Sequence, residues 1–291
     1  MSAVLDLSRG PAPDLAQYLP SAAPVLKWAG GKTRLLPFLL PMLPPGVEER
    51  RHVEPFAGGA AMLFARRPGR ALLADVNGEL VRTYEMVREA PYAVIAHLAR
   101  LRGHHDASAY YAARERFNRV RAMPDEERAA LFIYLNKTCF NGLHRVNRRG
   151  EFNVPMGRYA SPRIFDEETV LGAAAALANT ELRHSDFQEA VEYARPGDFV
   201  YLDPPYVPIT ATASFTNYAC DGFTLKDQER LRDVVRALDR RGCRIMLSNS
   251  DAPEVWRLYD GFRIDVVRAP RLISCDASRR APVNEVVVRN Y

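Results

Sequence analysis

Five short apolar runs, each closing on polar or turn-forming residues and each followed by helical sequence, do most to limit what this chain can fold into. They are HVEPF (52–56), RALLADV (70–76), TELRHSD (180–186), DFVYLDP (198–204) and CRIMLSNS (243–250). Strand and helix in alternation specify an α/β fold built on an open, mostly parallel sheet. FRIDVVR (262–268) and VNEVVVR (283–289) read as a closing antiparallel pair. With 291 residues, 47% of them hydrophobic, the chain can bury a sizeable core, in one large domain or one domain carrying an insertion.

The rhythm breaks over residues 91–179. SAYYAARERFNRVRAM and EERAALFIYLNKT are strongly helical. NGLHRVNRRGEFNVPMGRY then reads as a basic hairpin turning at Arg149-Gly150. Arg145, Arg148, Arg149 and Arg158 concentrate positive charge in that one stretch. The expected organisation is a loose arm (1–23), an α/β catalytic domain (24–90 and 180–291) and an inserted recognition domain (91–179). Trp256 and Tyr259, at helical spacing, read as core.

Several classes drop out. No apolar run is long enough to span a bilayer, and the first twenty residues lack a basic region followed by an apolar one, so a cytoplasmic protein without a leader peptide is expected. Cys139, Cys220, Cys243 and Cys275 form no C-x-x-C pair and no cluster with histidine, so neither a zinc site nor a disulfide framework is expected. The net charge of +5 permits a polyanionic partner without requiring one.

KWAGGKTRLL (27–36) imitates a phosphate-binding loop. The pattern G-x-x-x-x-G-K-[ST] asks for a first glycine at residue 26, which is Leu26, and for a preceding buried strand, where the chain instead has a Pro- and Ala-rich lead-in. The triphosphate reading fails on both counts.

Two constellations carry chemistry. Asp203-Pro204-Pro205-Tyr206 follows the strand FVYL at its carboxyl end, where open α/β sheets bind ligands. The prolines stiffen the chain and remove two donors. The Asp203 carboxylate and the Pro204 carbonyl can then accept both hydrogens of an exocyclic amine, and Tyr206 offers a flat face to a base. A strand-end position also suggests that Asp203→Ala would spare the fold. The second constellation is Glu54-Pro55-Phe56-Ala57-Gly58-Gly59, whose glycines let a ligand approach the backbone closely. The next strand ends in Asp75, about twenty residues on, where a carboxylate suits ribose hydroxyls.

Together, KWAGGK, VEPFAGG, LADVN, NGLHRVNRRGEFNVPMGRY, DPPY and SNSD (248–251), in that order, resemble the Dam-type DNA adenine-N6 methyltransferases from about Pro24 to Val288. The resemblance implies a Rossmann-like methyltransferase fold and transfer of the S-adenosyl-L-methionine methyl group to N6 of an adenine flipped out of double-stranded DNA. No metal is implied, nor an obligate protein partner, and a monomer near the nucleoid is expected. Cofactor contacts are implied at Trp28, Lys32, Glu54, Phe56, Gly58, Asp75, Asp186 and Asp203. DNA contacts are implied at Lys27, Asn141, Leu143, Arg145, Arg148, Arg149, Pro155, Arg158 and Tyr159, with GATC as the target and Arg145 as the guanine reader. The chain departs from the family at Ala60, where a glycine is usual and alanine fits if the residue already lies in the helix, and at Phe140, where tyrosine is common. An adenine methyltransferase of a restriction-modification system with another target, or an inactive DNA-binding regulator on the same scaffold, stay open on sequence alone.

Overall fold

The expected runs become β1 (His52–Glu54), β2 (Ala71–Asp75), β3 (Thr180–His184), β4 (Phe199–Leu202), β5 (Arg244–Ser250), β6 (Arg263–Ala269) and β7 (Val283–Arg289). In the computed structural model, which describes residues 22–120, 122–208, 222–269 and 283–291, they form one seven-stranded sheet in the order β3-β2-β1-β4-β5-β7-β6. The first five strands are mutually parallel, and β7 runs antiparallel between β5 and β6. Most of the proposed N-terminal arm (residues 1–21), Cys220 and Cys275 lie outside the described residues.

Both faces of the sheet are covered, which is why its strands read as apolar runs rather than strict alternations. On one face Val53, Leu72, Val200, Leu202, Ile245 and Leu247 pack against α8 (Phe187–Glu192), α9 (Leu225–Arg240) and α10 (Pro253–Leu258). On the other, Phe199, Tyr201 and Met246 meet Leu35, Leu39 of the short helix α1 (Leu36–Leu39) and Met62 of α2 (Ala61–Arg66). Tyr259 is buried as expected. Trp256 is not: it is 41% exposed, and its indole N–H donates to Asp251 instead of packing inward. A lone aromatic at helical spacing cannot tell the buried face from the rim.

The chain leaves β1 toward β2 and β3, and β4 lies on the opposite side of β1. Here the strand order reverses, and the carboxyl ends of β1 and β4 diverge to leave the crevice in which such sheets bind ligands. Glu54 ends β1 and Asp203 follows β4, so the topology alone brings both motifs to one rim.

Residues 91–179 hold α4 (Pro91–Gly103), α5 (Ala107–Arg119), α6 (Asp125–Thr138) and α7 (Glu167–Leu177). Helix α6 is buried nearly all round, because α4, α5 and α3 (Gly78–Glu89) surround it. Its core is continuous with the sheet layer, running from Leu73, Leu80 and Tyr84 to Phe132, Ile133 and Leu135. After α6 the chain makes the expected hairpin. Bridges join Val146 to Phe152 and Cys139 to Met156, and the turn closes through Asn147 with Gly150 at φ +75°. Because the core runs through without a break, Phe132→Ala should destabilise the whole protein by roughly 3–5 kcal/mol, measured by urea denaturation. A loss below about 1 kcal/mol would mean that the insert opens independently of the sheet.

Candidate active site and nucleic-acid face

The crevice is organised by a buried ion pair. Lys32 Nζ lies 2.6 Å from Asp203 Oδ1, donates to the Gly30 carbonyl at 2.6 Å, and sits 4.7 Å from the centre of the Tyr206 ring. Only 5% of the lysine side chain and 19% of the aspartate side chain are exposed. Burial pushes the Asp203 carboxyl above the usual carboxylate range, and Lys32 pulls it back. The lysine of the phosphate-loop look-alike is thus already neutralised by a carboxylate. The pairing also corrects the expectation for Asp203→Ala: alanine would strand a buried ammonium, which costs about 3–5 kcal/mol, so asparagine is the cleaner probe.

The D-P-P-Y turn is clamped from behind. Gln228 Nε2 donates to the Pro205 carbonyl at 2.8 Å, and the Val207 N–H donates to Asn249 Oδ1 at 3.0 Å. The Ser250 hydroxyl donates to the Val207 carbonyl. This gives S-N-S a physical role as a mould for the loop. Pro204 is buried, and its carbonyl lies outside these clamps. The Tyr206 hydroxyl donates to Glu285 Oε2 at 2.6 Å.

The glycine loop is shaped by its neighbours. Gly58 (φ +44°) donates its N–H to Asp75 Oδ2 at 3.0 Å, and its carbonyl accepts from the Tyr84 hydroxyl at 2.6 Å. A Cβ there would lie 2.8 Å from Trp28 Cδ1, so the indole requires glycine. Asp75 Oδ1 accepts from the Asn77 N–H, which ties the loop to the start of α3. Ala60 corrects an expectation: it precedes α2 in left-handed conformation (φ 50°, ψ 34°) and has not entered the helix. The family's glycine thus has a backbone reason, and alanine here carries strain on the order of 1–2 kcal/mol.

Aromatic rings line the β3 side of this rim. Phe56 stacks on Phe187 at 5.1 Å and meets Phe223 edge-on. Asp186 caps α8 and is held by both guanidinium nitrogens of Arg230, at 3.1 and 3.0 Å, which places it in a half-exposed ion pair. The buried hydroxyl of Ser185 beside it has no hydrogen-bond partner among the described residues.

Beneath Glu54 lies a relay with a fixed proton arrangement. Arg66 Nη1 is 2.8 Å from His52 Nδ1, and His52 Nε2 is 2.8 Å from Glu54 Oε2. A guanidinium can only donate, so Nδ1 accepts and the single imidazole proton sits on Nε2, donating to Glu54. Burial, then Arg66, hold the His52 pKa well below its ordinary value. Burial, then Asp203, push Glu54 well above the carboxylate range.

The other implied DNA residues surround the hairpin. Asn141, Arg145, Arg148, Arg149, Pro155 and Arg158 are exposed, and Leu143 and Tyr159 are half-buried. Arg145 Nε donates to Asn153 Oδ1 at 2.8 Å, which orients the guanidinium. Lys27 is embedded: its Nζ donates to the Lys137 carbonyl at 3.2 Å and lies 4.1 Å above the Tyr159 ring. Asn136, buried in α6, accepts from the Lys27 N–H and donates to the Lys27 and Gly142 carbonyls. His144 stacks on Trp28 at 5.8 Å and accepts from the Asn77 amide at 3.3 Å. The segment 27–32 therefore touches the hairpin at one end and Asp203 at the other.

The sequence reading missed Asn136, Gln228, Glu285 and the His52–Arg66 relay. Two carried a signal: Asn136 is an amide inside the apolar run ALFIYLNKT, and Glu285 is the lone acid of VNEVVVR.

An acid-lined crevice at a sheet's reversal point, closed by an antiparallel strand and fronted by D-P-P-Y, defines an α/β methyltransferase. The chain belongs to the D12 class of N6 adenine-specific DNA methyltransferases, whose family profile matches residues 28–273. It is 39% identical to the type II methyltransferase M1.LlaDCHI of Lactococcus lactis subsp. cremoris over 273 residues, 92% of this chain and 95% of that protein. It is 40% identical to the type II methyltransferase M.MjaIII of Methanocaldococcus jannaschii, covering 92% and 99%. Against the DNA adenine methylase of Escherichia coli K12 the identity is 36%, covering 90% and 93%.

The relay predicts a pH response. The folded state refuses a proton that an unfolded histidine takes up near pH 6.5, so His52 contributes stability that is present above that pH and lost as pH falls below it. Wild-type stability should drop by up to about 1.4 kcal/mol per pH unit below 6.5, relative to His52→Gln. Urea denaturation of both proteins at pH 5 and pH 7 measures this; parallel pH dependences would show that His52 takes up its proton in the fold as readily as in the unfolded chain.

Proposed function

We propose that this enzyme transfers the methyl group of S-adenosyl-L-methionine to N6 of a flipped adenine within GATC in double-stranded DNA. The observation that carries the reading is the segment Lys27–Lys32, which meets the hairpin stretch through Lys27 against the Tyr159 ring and the D-P-P-Y carboxylate through Lys32. Residues 91–179 act as the recognition unit in this reading.

The crevice suits such a cofactor. Among the described residues its titratable groups are mainly acids, Glu54, Asp75 and Asp203, and the buried Lys32 ammonium is already paired. That balance favours a positively charged sulfonium and amine over a triphosphate. Phe56 and Phe187 offer an apolar face for an adenine ring, Asp75 a carboxylate for ribose hydroxyls, and the unpartnered Ser185 hydroxyl a group awaiting a ligand. The cofactor supplies a methyl group on an excellent leaving group. The protein's task is alignment, because the adenine amine is a poor nucleophile whose lone pair is delocalised into the ring. Asp203 Oδ2 and the Pro204 carbonyl accept the two amine hydrogens and draw the nitrogen toward tetrahedral geometry. Fixing this alignment contributes on the order of 7–11 kcal/mol. Flipping the base costs a few kcal/mol, of which stacking on Tyr206 offsets about 1–3 kcal/mol.

Asp203→Asn keeps the side-chain shape and should lower single-turnover methylation by at least about 10²-fold, the weight of one preorganised hydrogen bond at a reacting atom. Near wild-type rates would remove Asp203 from the chemistry.

For the target, Arg145 reads guanine O6 and N7, Leu143 and Pro155 meet a thymine methyl, and Arg148, Arg149 and Arg158 hold phosphates. Sequencing of methylated adenines in DNA exposed to the enzyme tests GATC directly. Arg145→Ala should cost about 1–3 kcal/mol on the cognate site and let single-base variants be methylated. A uniform loss on all sequences with a flatter salt dependence would instead make Arg145 a phosphate contact.

A further inference from the structure

We infer that Glu285 is a positioning residue for the target base, acting through Tyr206. The inference rests on the role proposed for Tyr206 and deepens it.

Strand β7 runs against the parallel strands, so its first residues arrive at the rim where those strands end. Glu285 stands opposite Ser250, the last residue of β5, and opposite Val267 of β6. It is the only acid in a strand whose following three residues are buried valines. From there its carboxylate reaches the Tyr206 hydroxyl at 2.6 Å, the distance of a charge-assisted O–H···O⁻ bond. The Lys32 ammonium lies 4.7 Å from the centre of the same ring.

These contacts fix different things. The Glu285 bond holds the far end of the side chain and so fixes the direction of the ring axis, while rotation of the ring about that axis is limited by what packs on its face. Lys32 covers one face. A ring anchored at its tip and backed on one face leaves the other face as a rigid platform, in place before any base arrives. The backbone beneath is clamped separately by Gln228 and Asn249. Removing Glu285 therefore frees the ring without dismantling the loop. Misplacement by about 1 Å is enough to cost on the order of 10²-fold in rate.

The test uses two duplexes of one sequence: one with adenine at the target position, which the wild-type enzyme methylates and which gives the rate, and one with 2-aminopurine there, which reports base flipping alone. Glu285→Ala and Tyr206→Phe remove the same bond from opposite ends. Each should slow single-turnover methylation about ten- to hundredfold and weaken the flipping signal, while calorimetric binding of S-adenosylmethionine stays within about twofold. The double variant should be no slower than the slower single. Glu285→Gln, which keeps an acceptor, should recover part of the rate. A fully active Glu285→Ala beside an inactive Tyr206→Ala would overturn the tether alone. A fully active Tyr206→Ala would overturn the stacking role as well. If Glu285→Ala does not fold, Tyr206→Phe still decides: wild-type methylation and flipping in that variant would overturn the inference.

Discussion

The Lys32–Asp203 pair is the interaction on which the rest of the site depends. It joins a segment near the N-terminus to the loop after β4, 171 positions later by residue number, inside a crevice that excludes most water. Desolvating two ions costs several kcal/mol each. The geometry helps repay this because Lys32 has more than one partner: it also donates to Gly30 and faces the Tyr206 ring. Neither ion can be removed without leaving the other stranded. The pair therefore fixes the position of the carboxylate, and the surrounding structure is built to keep the lysine in reach. Trp28 wedges against Gly58 and Gly59, and Asn136 holds Lys27 through both of its backbone groups. The 27–32 segment belongs to no strand or long helix, and its conformation comes from these tertiary partners.

The sheet topology explains how distant residues converge. The reversal between β1 and β4 opens the crevice and presents Glu54 and Asp203 on its two sides. The antiparallel entry of β7 adds a third wall that a wholly parallel sheet would lack, since a parallel strand would bring its last residues to this rim in place of its first. The closing pair, β6 and β7, is thus more than an edge cover, because it delivers Glu285 to Tyr206. The insert uses the same economy. Packed on α3 through α6, it lets His144 reach Asn77 and Trp28 directly, so the basic hairpin and the glycine loop share neighbours.

The strands were legible in the sequence because burial on both faces leaves apolar runs that turn residues punctuate, and all seven expected runs correspond to strands. The motifs at strand ends were legible because topology, more than packing, puts them at the rim. What stayed hidden depends on partners far away in the chain. Nothing local says that Glu285 meets Tyr206, or that a histidine at 52 shares its ring between Arg66 and Glu54. Ala60 shows a different limit. A sequence gives the residue but not its φ angle, and the left-handed turn before α2 appears only once the Gly58–Asp75 bond and the helix direction are known. Trp256 was misplaced because three-residue spacing from Tyr259 fits a helix rim as well as a core.

The same geometry answers the ambiguity of G-G-K-T. In a phosphate-binding loop the lysine and the backbone N–H groups must face outward together, so that positive charge meets the ligand. Here the Gly31 N–H closes a turn onto the Trp28 carbonyl, and the Gly30 carbonyl turns toward Lys32. The lysine points into the protein, where a carboxylate neutralises it. What remains facing the crevice is acidic or aromatic, and Glu54, with its raised pKa, gives up its proton less readily than an exposed acid. Such a lining, with its cation already paired, suits the sulfonium cofactor proposed above better than a triphosphate. It also leaves one oxygen of Asp203 uncommitted to Lys32, beside a stiff proline carbonyl. Two acceptors in fixed positions, the Asp203 oxygen not paired with Lys32 and the Pro204 carbonyl, suit the exocyclic amine of the proposed substrate, which brings two hydrogens and needs to lose its planarity. The charge balance of the crevice, more than the glycines that first draw the eye, sets what chemistry can occur there.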